Sequence, residues 1–387
     1  MPGSGELYKG TDGLWAFRVK ASNGKVVAID NGPPGYKAKS EARAVLQKLL
    51  NGDYKGPIRE AATLGCGQEI TTNTTLTGDL MCTDGPALIV TADNVVLDLG
   101  GFTVSGHGAA STAVPGILLR NVKGVTVRKG TVQHFGAGVA IAGGANNLVQ
   151  NLTVQDNVGE PDGDFGDGIT ISASSGNHIL ANTVRRNGPF SGISLVGACT
   201  DNHIHDNVVS DNNMLPGDPA AGRQDMGIRI EGPAANNNMV AGNTVTNSGA
   251  DGIVVLATCA DPQGGCAGTP GNEGNDISKN MSHGNGTSGA GSGIRLFAVA
   301  QPVAPTKTTI TENVTNDNKT HGVAVDAAGS ATPGPTEHKL SGNSGHGNGQ
   351  FDGFDGNTPA CGSNKWTAND FAKVNQPCIS AKKAPPG

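Results

Sequence analysis

One short phrase recurs along this chain and limits what it can fold into. A glycine is followed by apolar residues at the first and third places after it. The phrase starts at Gly116, Gly138, Gly168, Gly192, Gly227, Gly252, Gly293 and Gly322. From the third coil onward an asparagine follows, at Asn151, Asn182, Asn207, Asn243, Asn280, Asn313, Asn343 and Asn369. A second asparagine stands five residues earlier at Asn146, Asn177, Asn202, Asn238, Asn275 and Asn364, with Thr308 and His338 as the exceptions. A fixed phrase at intervals of this size is the mark of a stacked repeat.

Alternation with a period of two residues belongs to short strands with one buried face. The shortest interval, Gly116 to Gly138, spans 22 residues, enough for about three strands and three corners. Longer intervals follow, so the extra residues enter loops while the strands stay in step. Asparagine suits the corners, because it tolerates left-handed backbone angles and bonds locally through its amide. Coils stacked roughly 4.8 Å apart would also let those amides bond to one another as a ladder. The expected fold is all-β: a single-stranded right-handed parallel β-helix of about ten coils, its hand following from the bias of parallel crossovers. Gly 60 and aromatic 4% would suggest disorder in an aperiodic chain, but here the glycines are punctuation at set places.

The other residues divide the chain into four parts. Residues 1–56 do not obey the repeat. Two strands, around Trp15 and over 25–29, flank the turn Ser22-Asn23-Gly24, and a helix opened by Ser40-Glu41 shows an apolar face of Ala44, Leu46, Leu49 and Leu50. This reads as a small α+β (ββα) domain. Residues 57–65 are a linker, 66–380 the β-helix and 381–387 a disordered tail. The net charge of −6 argues against nucleic acid as a partner. No run approaches the length of a membrane span. Cys66 with Cys82, Cys361 with Cys378 and Cys259 with Cys266 each could close a short loop, leaving Cys199 over. Such pairing points to a secreted, extracellular protein. The start, MPGSGELYKG, lacks the apolar run of a signal peptide, so such a leader was removed or export uses another route.

The NxΦxxN ladder, the opening CGQEITTNTTLTGDLMCTDGPALIVTADNVVLDLGGFTVSG and the closing CGSNKWTANDFAKVNQPC resemble the right-handed β-helix repeat proteins. That group includes pectate-lyase-like, NosD-like and alginate-epimerase-like members, and the resemblance covers about Cys66 to Ile379. It implies the fold; lyases, hydrolases, epimerases, adhesins and phage spikes all use it. The segments FRVKASNGKVVA and GYKAKSEA resemble the short YegP-like domains, which have no settled activity.

Two sets of insertions flank the Gly-initiated strands, at 158–167, 213–226 and 286–292 before them and at 257–274, 298–307 and 327–337 after them. Together they would wall a groove over that sheet. Facing outward two places after the glycines stand Thr170, Ser194, Arg229 and Arg295, and four places after them Glu231, Phe297 and Asp326. Asp167, Asp225, Asp251 and His321 precede the glycines. Arginine forks suit the carboxylates of a uronate polysaccharide. Lyase or C5-epimerase chemistry needs that carboxylate neutralised and a base at the α-carbon. Arg229 and Arg295 are the candidate neutralising groups, with His321, Asp225 or Asp251 for proton transfer. Asp167, Thr170, Ser194, Glu231 and Phe297 are the candidate substrate contacts. The paired Asp-Asp of polygalacturonase-like proteins and the DPHD motif of alginate-epimerase-like ones are both absent. The alternative is a non-catalytic glycan-binding or cell-surface structural β-helix. Asp162, Asp164 and Asp167, in the loop EPDGDFGDG, have the hard oxygens that calcium takes. His203 and His205 alternate on one strand and point to one side, two ligands where a metal needs at least three.

Overall fold

The computed structural model describes residues 4–9, 15–20, 26–29, 36–51, 64–108, 114–159, 166–213, 225–258, 271–298, 303–327 and 334–379. The chain divides into two compact units, Met1–Ala62 and Thr63–Gly387.

In the first unit, strands Ser4–Lys9, Trp15–Lys20 and Val26–Ile29 form an antiparallel sheet in chain order, followed by the helix Lys39–Leu50. The unit is therefore βββα rather than ββα. The strand that the sequence reading passed over has little apolar alternation. Its Glu6 is held instead by Arg18 at 2.7 Å, and Leu46 of the helix packs where a side chain at Gly5 would stand. The Glu41 carboxylate accepts from the Ala38 N–H, which starts the helix as expected of a residue in its first turn. Its buried face is Ala42 and Leu46; Ala44, Leu49 and Leu50 are exposed, contrary to the expected face.

The second unit is a right-handed parallel β-helix with three faces. Among the described residues eleven strands stack in the first face, from Gln68–Ile70 to Phe351–Asp355, in keeping with the expected ten or so coils. Two further faces run alongside it, through strands such as His178–Leu180 and Thr183–Arg185, every neighbour parallel. Residues one and three places after each glycine, such as Ile169, Ile171, Ile228 and Ile230, point inward and are fully buried. The glycines share one column because the corner there is tight. A methyl at Gly168 would stand 2.6 Å from both the Gly192 carbonyl oxygen and the Val184 side chain, and one at Gly227 would meet Val245 at 2.2 Å. Any larger residue would push adjacent coils apart.

Three ladders, not two, run through the corners. In the first, Asn177, Asn202, Asn238 and Asn275 are linked Nδ2 to Oδ1 at 2.8–3.1 Å. In the second, Asn182, Asn207, Asn243, Asn280, Asn313, Asn343 and Asn369 are linked in the same way. The third, through Asn157, Asn187, Asn212, Ser248, Asn285, Asn318 and Asn348, repeats the five-residue interval once more. Asn146 and Asn151 fall outside the ladders. Each is exposed and left-handed, with φ of 55° and 53°, while Asn147 and Leu152 take the buried places one residue later. Both kinds of site accept asparagine, which is why spacing alone misplaced them.

Disulfides Cys66–Cys82 and Cys361–Cys378 close the first and last coils. Cys199 is free and buried, as expected, and burial raises its thiol pKa. Cys259 and Cys266 lie outside the described residues. No helix of the described residues is long and apolar enough to cross a membrane.

His338 takes an asparagine place in the first ladder, its Nδ1 accepting from the Thr308 N–H at 2.9 Å. Burial pushes its pKa down from the ordinary 6.5 to about 4. The folded state therefore binds fewer protons than the unfolded chain between these values, and stability falls as pH drops from 6.5 towards 4. His338→Asn should remove this loss, which approaches roughly 3 kcal/mol for this one group. The gap in melting temperature between variant and wild type should widen on acidification; a gap independent of pH would contradict the reading.

Candidate active site

The outward face of the Gly-initiated sheet carries the charged residues singled out above, in the expected columns. Thr170, Ser194, Arg229, Val254 and Arg295 are successive partners, as are Ser172, Val196, Glu231, Leu256, Phe297 and Asp326. Arg229 and Arg295 are thus two strands apart, with the buried Val254 between them. The column just before the glycines holds Asp167, Ser191, Met226, Asp251, Ser292 and His321, each carbonyl accepting from the glycine N–H of the preceding coil.

These residues gather into two charged clusters. In the first, Arg229 reaches Glu231 and, at 3.7 Å, Asp167, and lies 5.6 Å over the Phe190 ring. Asp167 Oδ1 also accepts from the Ser191 N–H at 2.8 Å, and the Ser194 hydroxyl lies 3.0 Å from that of Thr170. Burial raises the Asp167 carboxyl's pKa, with Arg229 opposing it. Beside this cluster lies a cleft of about 590 Å³ lined by Leu118, Ala140, Thr170, Phe190, Arg229 and Glu231.

In the second cluster Arg295 bonds Asp326 at 2.6 Å, lies 3.6 Å from Asp251 and stacks 3.7 Å over Phe297. Asp251 repeats the Asp167 arrangement: its Oδ1 accepts from the Ser292 N–H at 2.6 Å, and burial raises its pKa against the pull of Arg295. His321 stacks on Phe354 at 4.4 Å and Phe351 at 5.8 Å. Its Nδ1 is buried with no hydrogen-bond partner, and burial lowers its pKa to about 4, with Arg295 adding to the drop and Asp326 resisting it. The imidazole is therefore neutral at ordinary pH. The two arginines differ in access. The Arg229 side chain is 6% exposed and enclosed by its carboxylates, whereas that of Arg295 is 26% exposed.

Asp225 sits differently from Asp251. Met226, not Asp225, is the column partner of Asp251, and Asp225 is buried against the corner at Gly249. The two carboxylates are offset by one residue. Of the acidic loop, Asp162 and Asp164 lie outside the described residues. Asp167 is turned to Arg229 and Ser191. The insertion 286–292 is described in full; 160–165, 214–224, 259–270, 299–302 and 328–333 lie outside the described residues. The sequence reading missed Phe190, Phe351 and Phe354 as parts of this face. Phe354 continues the column of Arg295 and Ala324, but its coil opens with Asp352 where the others have glycine, which hid the register.

The chain has the fold of a right-handed parallel β-helix. A family model described as a right handed beta helix region matches residues 89–263. Among solved structures, pectate lyase Pel9A is similar at 14% identity, covering 77% of this chain and 71% of that chain with a TM-score of 0.54. The Azotobacter vinelandii mannuronan C-5 epimerase AlgE4 A-module has 14% identity, covering 80% and 86% with a TM-score of 0.47. Endopolygalacturonase I from Stereum purpureum has 15% identity, covering 80% and 90% with a TM-score of 0.46. At these identities the likeness is one of fold. No curated protein matches the sequence.

Proposed function

We propose that this is a secreted carbohydrate-active protein whose Gly-initiated sheet holds a uronate-containing polysaccharide and acts on it as a lyase or C5-epimerase. The observation that carries this reading is the pairing of a neutral, buried imidazole, His321, with a solvent-reachable guanidinium, Arg295, on neighbouring strands of one face. Removing the proton beside a sugar carboxylate needs an unprotonated base and a cation to hold the charge that develops. Arg295 keeps part of its side chain open to solvent beside Asp326 and Asp251, which leaves it able to receive a further carboxylate. Phe297 and the aromatic pair Phe351 and Phe354 supply flat apolar surface for sugar rings in a chain with few aromatics. The disulfides at both ends suit an oxidising compartment.

A second reading rests on the first cluster. Arg229 is closed in by Asp167 and Glu231, as expected of a group that shapes a glycan-binding face without doing chemistry on it. Incubation with a panel of uronate polymers separates the two. Unsaturated ends in the ultraviolet or a changed C5 configuration by NMR are the expected result. Binding without either change would favour the second reading, and neither binding nor turnover on any polymer would end both.

A further inference from the structure

A different face of the β-helix assembles a third imidazole beside the pair noted in the sequence. His178 and His203 are direct partners on adjacent strands, in a column that runs from Leu148 to Met239, and His205 lies two residues beyond His203 on the same face. The His178 ring centroid is 4.7 Å from that of His203 and 5.8 Å from that of His205. All three rings are partly exposed. Two imidazoles bound through nitrogen to one tetrahedral ion have centroids roughly 5 Å apart, for metal–nitrogen bonds of about 2.0–2.1 Å. The observed separations bracket that value.

One orienting contact accompanies the cluster. His205 Nδ1 lies 3.2 Å from the Asp206 carboxylate. A ring that donates its Nδ1 proton to a carboxylate keeps its Nε2 lone pair for a metal, the arrangement by which outer carboxylates orient metal-binding histidines.

We propose that His178, His203 and His205 form a surface site for a borderline divalent transition-metal ion such as zinc, with Asp206 positioning His205. Three imidazoles suit such ions, and hard oxygen-seeking ions such as magnesium or calcium would be refused. Three protein ligands leave a fourth position for water or an outside group. Among the described residues no three such side chains already converge on a metal-sized point, so the rings close by turning about their side-chain bonds when the ion arrives. Because the site lies on the face of the His178 and His203 strands and not on the Gly-initiated sheet, it does not depend on the glycan reading.

Titration calorimetry of the untagged full chain with zinc chloride at neutral pH tests this. One equivalent should bind, and magnesium chloride should not compete. His178→Gln, His203→Gln and His205→Gln should each weaken binding about tenfold or more, and Asp206→Asn should weaken it less while leaving the stoichiometry unchanged. His283→Gln and His346→Gln should bind zinc as wild type does. Because the substituted rings are partly exposed, unchanged melting temperatures in the absence of metal should show that the fold is retained. Absence of stoichiometric zinc binding by wild type would overturn the proposal. So would a triple His178, His203, His205→Gln variant that binds zinc as tightly as wild type.

Discussion

Asn207→Leu is expected to lower the stability of the β-helix by about 3–5 kcal/mol, a large effect for one side chain of ordinary size. Asn207 sits inside the second ladder. Its Oδ1 accepts from the backbone N–H of Asn182 at 2.9 Å and from the Asn182 amide at 3.0 Å. Its Nδ2 donates to the Ile179 carbonyl at 2.8 Å and to Asn243 Oδ1 at 3.0 Å. Leucine can replace none of these bonds, and the corner is closed to water, so the groups left behind keep their desolvation cost. Asn151→Gly is the comparison. Asn151 is exposed and left-handed, a conformation glycine adopts freely, and its loss should change stability by only about 0.5 kcal/mol. Urea unfolding followed by circular dichroism measures both. Equal midpoints for Asn207→Leu and wild type would mean that the ladder contributes nothing to stability.

The second large effect concerns catalysis. If His321 is the base of the proposed reaction, His321→Gln should lower turnover by roughly 100-fold or more, the scale of general base catalysis. Glutamine keeps a planar polar side chain beside Phe351 and Phe354, so binding of the polymer should change little. The pH profile is the sharper readout. With its pKa held near 4, His321 is unprotonated across the neutral range, and activity should stay level on mild acidification. It should fall only as pH approaches 4, where the imidazole takes up its proton. A fall centred near the ordinary histidine value of 6.5 would assign the base to another group. Arg295→Ala should instead raise the concentration of polymer needed for half-maximal rate, and the defect should shrink with added salt because Arg295 is partly exposed.

The interplay of the two arginines was not visible in the sequence. Arg229 and Arg295 share a column, and from spacing alone they are equivalent cations facing a groove. In the folded protein each is held by two carboxylates, and only Arg295 keeps appreciable access to solvent. The carboxylates come from different coils. Asp167 is contributed two coils before Arg229, and Asp326 one coil after Arg295.

The sequence by itself determined the repeat, and with it the architecture. Alternating Ile, Val and Leu after each glycine can be buried on one side only in short strands, and the shared interval can be met only by stacking them. The outward columns followed directly, because a two-residue period leaves no choice of face once the inner residues are known. The cysteine pairs at both ends and the isolation of Cys199 were legible for a similar reason, since short loops bring their ends together whatever else the chain does. What spacing could not decide was register to a single residue at the corners. There Asn146 and Asn147, or Asn151 and a neighbouring leucine, compete for places that both suit asparagine, one through its backbone and the other through its amide. Nor could spacing decide which charges meet. Ion pairs and ring stacks such as Arg295 with Asp251 and Asp326, His321 with Phe354, or His178 with His203 and His205 join residues on neighbouring coils or across a corner. Their geometry depends on the packing of whole coils, and only the tertiary structure sets that.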